Sequence, residues 1–175
     1  MFGRLPVFVD LKRYADQGVM LEGELELSKM SRLLESLTSD EGSIKVAINF
    51  GIDEQRIRYM RIEATAELML RCQRCMQPVE QQVVLNSALG LISSEAQAER
   101  LTGEYEPFLI PDEQAAIAEI IEDELILALP IVPRHADQLA CAPVDYSSDD
   151  AEQEKVVEQE EKVNPFAALS DLKKH

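Results

Sequence analysis

RIEATAELMLRCQRCMQPVEQQVVL, residues 61–85, is the stretch that decides the fold. Ile62, Ala64, Ala66, Leu68, Leu70 and Cys72 fall on one parity, and Arg61, Glu63, Thr65, Glu67, Met69 and Arg71 on the other. Successive side chains of a strand point to opposite faces, so this run reads as a long strand with one buried face. Beyond QRCMQP the alternation resumes through Val79, Gln81, Val83 and Leu85. Residues 72–78 then form the connection of an antiparallel hairpin, with Cys72 and Cys75 at its tip.

Upstream, IKVAINF alternates with Ile44, Val46, Ile48 and Phe50 on one face, and Leu21, Gly23, Leu25 and Leu27 alternate with Glu22, Glu24 and Glu26. Both segments predict further strands. Between them, KMSRLLESL (29–37) spaces Met30, Leu33, Leu34 and Leu37 as a helix, with Ser28 as N-cap. Downstream, Ile117, Ile120, Ile121, Leu125 and Ala128 predict a helix over 112–129, capped by Asp112 and stopped by Pro130 and Pro133. Its acidic cluster, Glu119, Glu122, Asp123 and Glu124, reads as a solvated face rather than as a metal or acid–base site.

The expected fold is α+β over residues 1–142, an antiparallel sheet with a few packed helices. Residues 143–163 are too acidic and too poor in apolar side chains to offset the cost of ordering, and read as a disordered linker. Residues 164–175 read as a short amphipathic helix. Asn164 would cap it, Pro165 would open it, and Phe166, Leu169 and Leu172 would form its apolar stripe and a partner-binding surface.

The net charge is −16, and 17 of the 33 acidic residues lie in residues 105–175 with only 5 Lys and Arg. Such a field repels a phosphate backbone and attracts cationic protein surfaces, so direct RNA contact is disfavoured. Among the arginines at 56, 58, 61, 71 and 74, Arg61 and Arg71 share a strand face with Glu63 and Glu67 between them, and the strand that begins at Arg56 is expected to offer no aromatic platform for bases. No apolar run approaches the ~20 residues of a membrane span, and the charged start leaves no signal peptide. A cytoplasmic protein is expected, and three cysteines there do not suggest a disulfide framework.

Cys72 and Cys75 have the spacing of half a tetrahedral zinc site. Only His135 and Cys141, after the second helix, are natural candidates for the other half, and such a set closes the metal to catalysis. The alternative is that His135 and Cys141 are a loop histidine and a stray cysteine, and that Cys72 packs inward as a small hydrophobe. A redox C-x2-C is disfavoured because the motif lies between two strands rather than at a helix N-terminus. No P-loop, G-x-G-x-x-G or H-E-x-x-H motif is present, so an enzyme is not expected.

CQRC after an alternating strand, EDELILALPIVP at the second helix and the terminal NPFAALSDLK together resemble the bacterial YceD family, described as large ribosomal RNA subunit accumulation proteins. The resemblance implies a part in producing or keeping the RNA of the large ribosomal subunit, with no established catalytic residues. Many relatives carry a second cysteine group after L-P-x-x-P; here His135 stands where its first cysteine would fall. Two functions are expected to compete. One is a non-enzymatic factor that binds a large-subunit ribosomal protein or precursor particle. The other is a protein that binds or processes the rRNA directly.

Overall fold

The computed structural model describes residues 5–101, 103–111, 114–137 and 141. The elements in chain order are β1 (Phe8–Val9), α1 (Leu11–Gln17), β2 (Met20–Glu26), a 3-10 turn (Leu27–Lys29), α2 (Ser31–Leu34), β3 (Ser43–Ile52), β4 (Arg58–Arg71), β5 (Pro78–Ile92), α3 (Glu95–Ala98), β6 (Glu106–Leu109), β7 (Ala115–Ala116) and α4 (Ile117–Ala128). The five-stranded sheet runs β2-β3-β4-β5-β6, and β1 with β7 makes a two-stranded ribbon. The fold is α+β, as the alternation predicts.

The 61–85 hairpin is the middle of this sheet. β4 and β5 pair antiparallel from Tyr59 opposite Gly90 to Arg71 opposite Pro78. Met60, Ile62, Ala64, Ala66, Leu68 and Leu70 are all buried, as are Ile44, Val46, Ile48 and Phe50 on β3. Glu63, Thr65 and Glu67 are exposed on the other face. α1 packs over β3 and β4, α4 packs over β5, and α2 packs against α4. One core therefore joins the inner sheet face to Leu11, Leu33, Ile117, Ile121 and Leu125.

The sheet is mixed rather than wholly antiparallel, because β6 lies parallel to β5 over Leu89–Ile92. The chain leaves β5, crosses through α3 and returns in the same direction, which a parallel neighbour requires. α1 was not anticipated from the apolar spacing, yet its boundaries follow ordinary capping rules. The Asp10 carboxylate accepts from Arg13 N at 3.0 Å. Gly18 ends the helix at φ 60, a left-handed position where a Cβ would be strained.

Both predicted helices are shorter than their apolar spacing suggests. Residues 27–37 form a 3-10 turn and then α2, separated at Met30 (φ −102, ψ 77), so Ser28 is not an N-cap. α4 begins at Ile117 because Ala115 and Ala116 pair with Val9 and Phe8. Its first amide donates to Val7 O at 3.2 Å, a cap supplied by the residue before β1 rather than by a local side chain. Asp112 lies outside the described residues. The helix ends at Leu129 (φ −61, ψ 140), extended as a residue before proline prefers.

Candidate metal centre

Cys72 follows the last residue of β4 and begins a tight connection. Met76 N donates to Cys72 O at 2.9 Å, and Cys72 N donates to Gln77 O at 2.9 Å. Met76 takes φ 60, which reverses the chain just after the second cysteine. Both thiols are thereby turned inward, with Cys72 0% and Cys75 3% exposed.

Pro130 ends α4, and the chain then crosses this tip. Gln73 N donates to Pro133 O at 2.9 Å, and Gln81 Nε2 to Arg134 O at 3.1 Å. These bonds place His135 and Cys141 against the hairpin. Cys72 Sγ is 3.7 Å from Cys141 Sγ. His135 Nδ1 is 3.6 Å from Cys75 Sγ and 3.4 Å from Cys141 Sγ. The four donor atoms all lie within 4.8 Å of one another.

His135 Nε2 is 3.2 Å from Pro78 O. A carbonyl only accepts, so Nε2 donates its N–H and Nδ1 turns a lone pair toward the sulfurs. That is the outer bond that orients ligating histidines. Leu37, Leu70, Val79 and Leu129 pack around the three thiols, while His135 is only partly buried.

The electrostatics favour one thiolate and resist the next. Burial raises the Cys72 pKa, but backbone N–H groups of Cys75, Arg74 and His135 and the His135 side chain together bring it to about 5. Burial, hydrogen bonds to Cys72 and Cys75, and their charge push Cys141 up to about 11. A pocket that draws in one negative sulfur and repels another is balanced by a cation. In a tetrahedral site with bonds of ~2.3 Å to sulfur and ~2.0 Å to nitrogen, donors stand about 3.5–3.8 Å apart. The three separations above fall at or just below that range, so the group is compatible with a metal ion. Cys72 does pack inward, but His135 and Cys141 are not a stray pair, since both lie against the hairpin cysteines.

Other sequence-selected residues are placed differently. Glu122 is not on a solvated face: it is 5% exposed. Its Oε1 accepts from Arg32 N at 2.7 Å and Leu33 N at 3.0 Å, capping α2 from across the core. Its Oε2 accepts from Arg32 Nε and Nη2, while Nη1 binds Asp123. The Arg32 guanidinium is thus spent on α4, and this part of the acidic cluster is structural.

The expectation of no aromatic platform on this strand is corrected at Tyr59 of β4, which stacks on Tyr105 with ring centroids 5.9 Å apart. Arg61 sits 5.1 Å above the Tyr59 ring and binds Glu104 at 2.8 Å. The outer sheet face therefore carries an aromatic pair: Tyr59 shares its parity with Arg61, whereas Tyr105, before β6, is not marked by the alternation. Its arginine is held by a carboxylate and Tyr105 is buried. Phe166, Leu169 and Leu172 lie outside the described residues.

Residues 60–173 match the family described as "Large ribosomal RNA subunit accumulation protein YceD". A protein of Haemophilus influenzae bearing that description is 30% identical over 176 residues, spanning 97% of each chain. No solved structure matches the chain.

Proposed function

The chain belongs to the YceD family, and from that membership we propose that it supports accumulation of the large-subunit ribosomal RNA. In this reading it is a non-catalytic assembly factor in the cytoplasm, whose main contact is a large-subunit ribosomal protein or precursor particle. The observation that carries the mode of contact is charge: −16 overall, concentrated toward the C-terminal half. Such a chain meets cationic ribosomal protein surfaces rapidly and releases them as salt rises. Among the described residues no helix is long and apolar enough to cross a membrane.

Cys72, Cys75, His135 and Cys141 hold one structural zinc in this account, with no position open for a substrate. Its role is mechanical. It ties the β4–β5 tip to the segment after α4 and fixes where the acidic C-terminal region leaves the domain. Phe166, Leu169 and Leu172 add an apolar contact to the partner that salt does not screen.

A second reading, direct contact with rRNA, draws on one feature. Arg56, Arg58 and Arg100 line a pocket of ≈ 340 Å³ on an otherwise acidic molecule. Arg58 already binds Asp16 at 2.6 Å, which reduces what the pocket offers a phosphate. Association with large-subunit precursors before and after ribonuclease treatment separates the two readings. Protein contact predicts retention of ribosomal proteins after RNA digestion, and RNA contact predicts their loss.

A further inference from the structure

β5 is paired along most of its length on one side only. β4 covers Pro78–Gly90, while β6 covers the other side only over Leu89–Ile92. The 130–135 segment reaches the first residues of β5 through Gln81 and Pro78. Among the described residues, Gln82–Ala88 therefore has an open edge, with alternate backbone N–H and C=O groups turned away from β4.

A groove of ≈ 450 Å³ runs along this edge, from Val84–Ala88 to α4 and the chain before β6. Its walls carry Glu104, Glu106, Glu124 and Leu127, without a basic residue. Leu127 is 76% and Val84 57% exposed, so apolar positions bracket the open backbone. Ser87 lines the groove, and its hydroxyl is buried without a hydrogen-bond partner. The groove thus combines unsaturated main chain, two apolar positions and an acidic rim.

We infer that the Gln82–Ala88 edge of β5 accepts an extended cationic segment of another protein as an added strand. Main-chain hydrogen bonds supply attachment, and alternate Lys or Arg side chains meet the acidic rim while the opposite parity lies beside Val84 on the outer face. Charge chooses among occupants. Residues 149–162 of this chain carry seven acidic residues against two lysines, and a second copy carries −16, so both are repelled. An RNA strand is repelled for the same reason. The inference rests on the proposed function only for the sign of the partner.

The test uses the full chain and a ten-residue peptide alternating Lys and Val, with a Glu–Val peptide as control, read by backbone-amide hydrogen exchange. Alternate amides of Gln82–Ala88 should exchange quickly in the free protein and slow when the Lys–Val peptide is added. The Glu–Val peptide should have no effect. Glu106→Lys with Glu124→Lys should weaken binding about tenfold or more without lowering the thermal midpoint. Protection at Met20–Glu26 instead, equal binding of both peptides, or an unaffected double variant would overturn the inference. So would an edge already protected in the free chain, which would mean that its own residues occupy it. Precursor binding that persists with no protection at this edge removes this inference and leaves the proposed function standing. Edge protection without precursor binding does the reverse.

Discussion

Glu122 Oε1 accepts the Leu33 amide at 3.0 Å across 89 residues of sequence. An acidic side chain on α4 thereby supplies the N-terminal cap that α2 lacks locally. Removing it strands two amide donors, one of them buried, and releases the Arg32 guanidinium. Glu122→Ala should therefore cost ~2–4 kcal/mol, read as a lower denaturant midpoint. A change below about 0.5 kcal/mol would show that water replaces the cap.

The same carboxylate makes stability depend on pH. Burial opposes its charge, but the Leu33 and Arg32 amides and the Arg32 guanidinium hold its pKa below the ordinary 4.5. A depressed carboxylate contributes fully above its unfolded value and loses that contribution as pH falls through the folded value. Thermal midpoints measured below pH 4.5 should fall more steeply for the wild type than for Glu122→Gln. Parallel curves would contradict the assignment.

Protein purified without a His tag should contain about one zinc per chain, and Cys72→Ser or Cys75→Ser should abolish it. His135→Cys is the more discriminating variant. It replaces one zinc donor by another, so stoichiometry should persist. Metal-free wild-type protein with an unchanged thermal midpoint on added zinc would count against the centre.

Met76 holds φ 60 at the hairpin tip, where a side chain is strained. Met76→Gly should stabilise the chain by up to ~1 kcal/mol, because the strain removed exceeds the entropy that glycine adds to the unfolded state. A destabilisation of that size would mean that the Met76 side chain, half exposed, packs more than it strains.

Much of the sheet was legible because β3, β4 and β5 each bury one face against helices and leave the other in water. That geometry writes itself into sequence as alternation. The capping of α2 was not legible. Ser28 has the right chemistry for a cap, but the acceptor actually used comes from Glu122, and no local window contains both. The apolar spacing extends α4 too far at its start because Ala115 and Ala116 suit a helix by propensity, while pairing with β1 overrides it. The meeting of Cys72 and Cys75 with His135 and Cys141 was foreseeable from donor chemistry alone. The bonds that bring them together, Gln73 to Pro133 and His135 to Pro78, involve backbone carbonyls that a sequence does not mark.

The measurement that bears most directly on the central claim is a titration of the labelled 175-residue chain against protein-free 23S-type rRNA and against large-subunit precursors, at ~150 mM salt. The account predicts binding to the precursors that weakens at higher salt, and no comparable binding to bare RNA. Removal of residues 143–175, or Phe166→Ala with Leu169→Ala, should reduce the precursor signal. Tight binding to the bare rRNA, with no ribosomal protein present, would contradict the account and make direct RNA recognition the function.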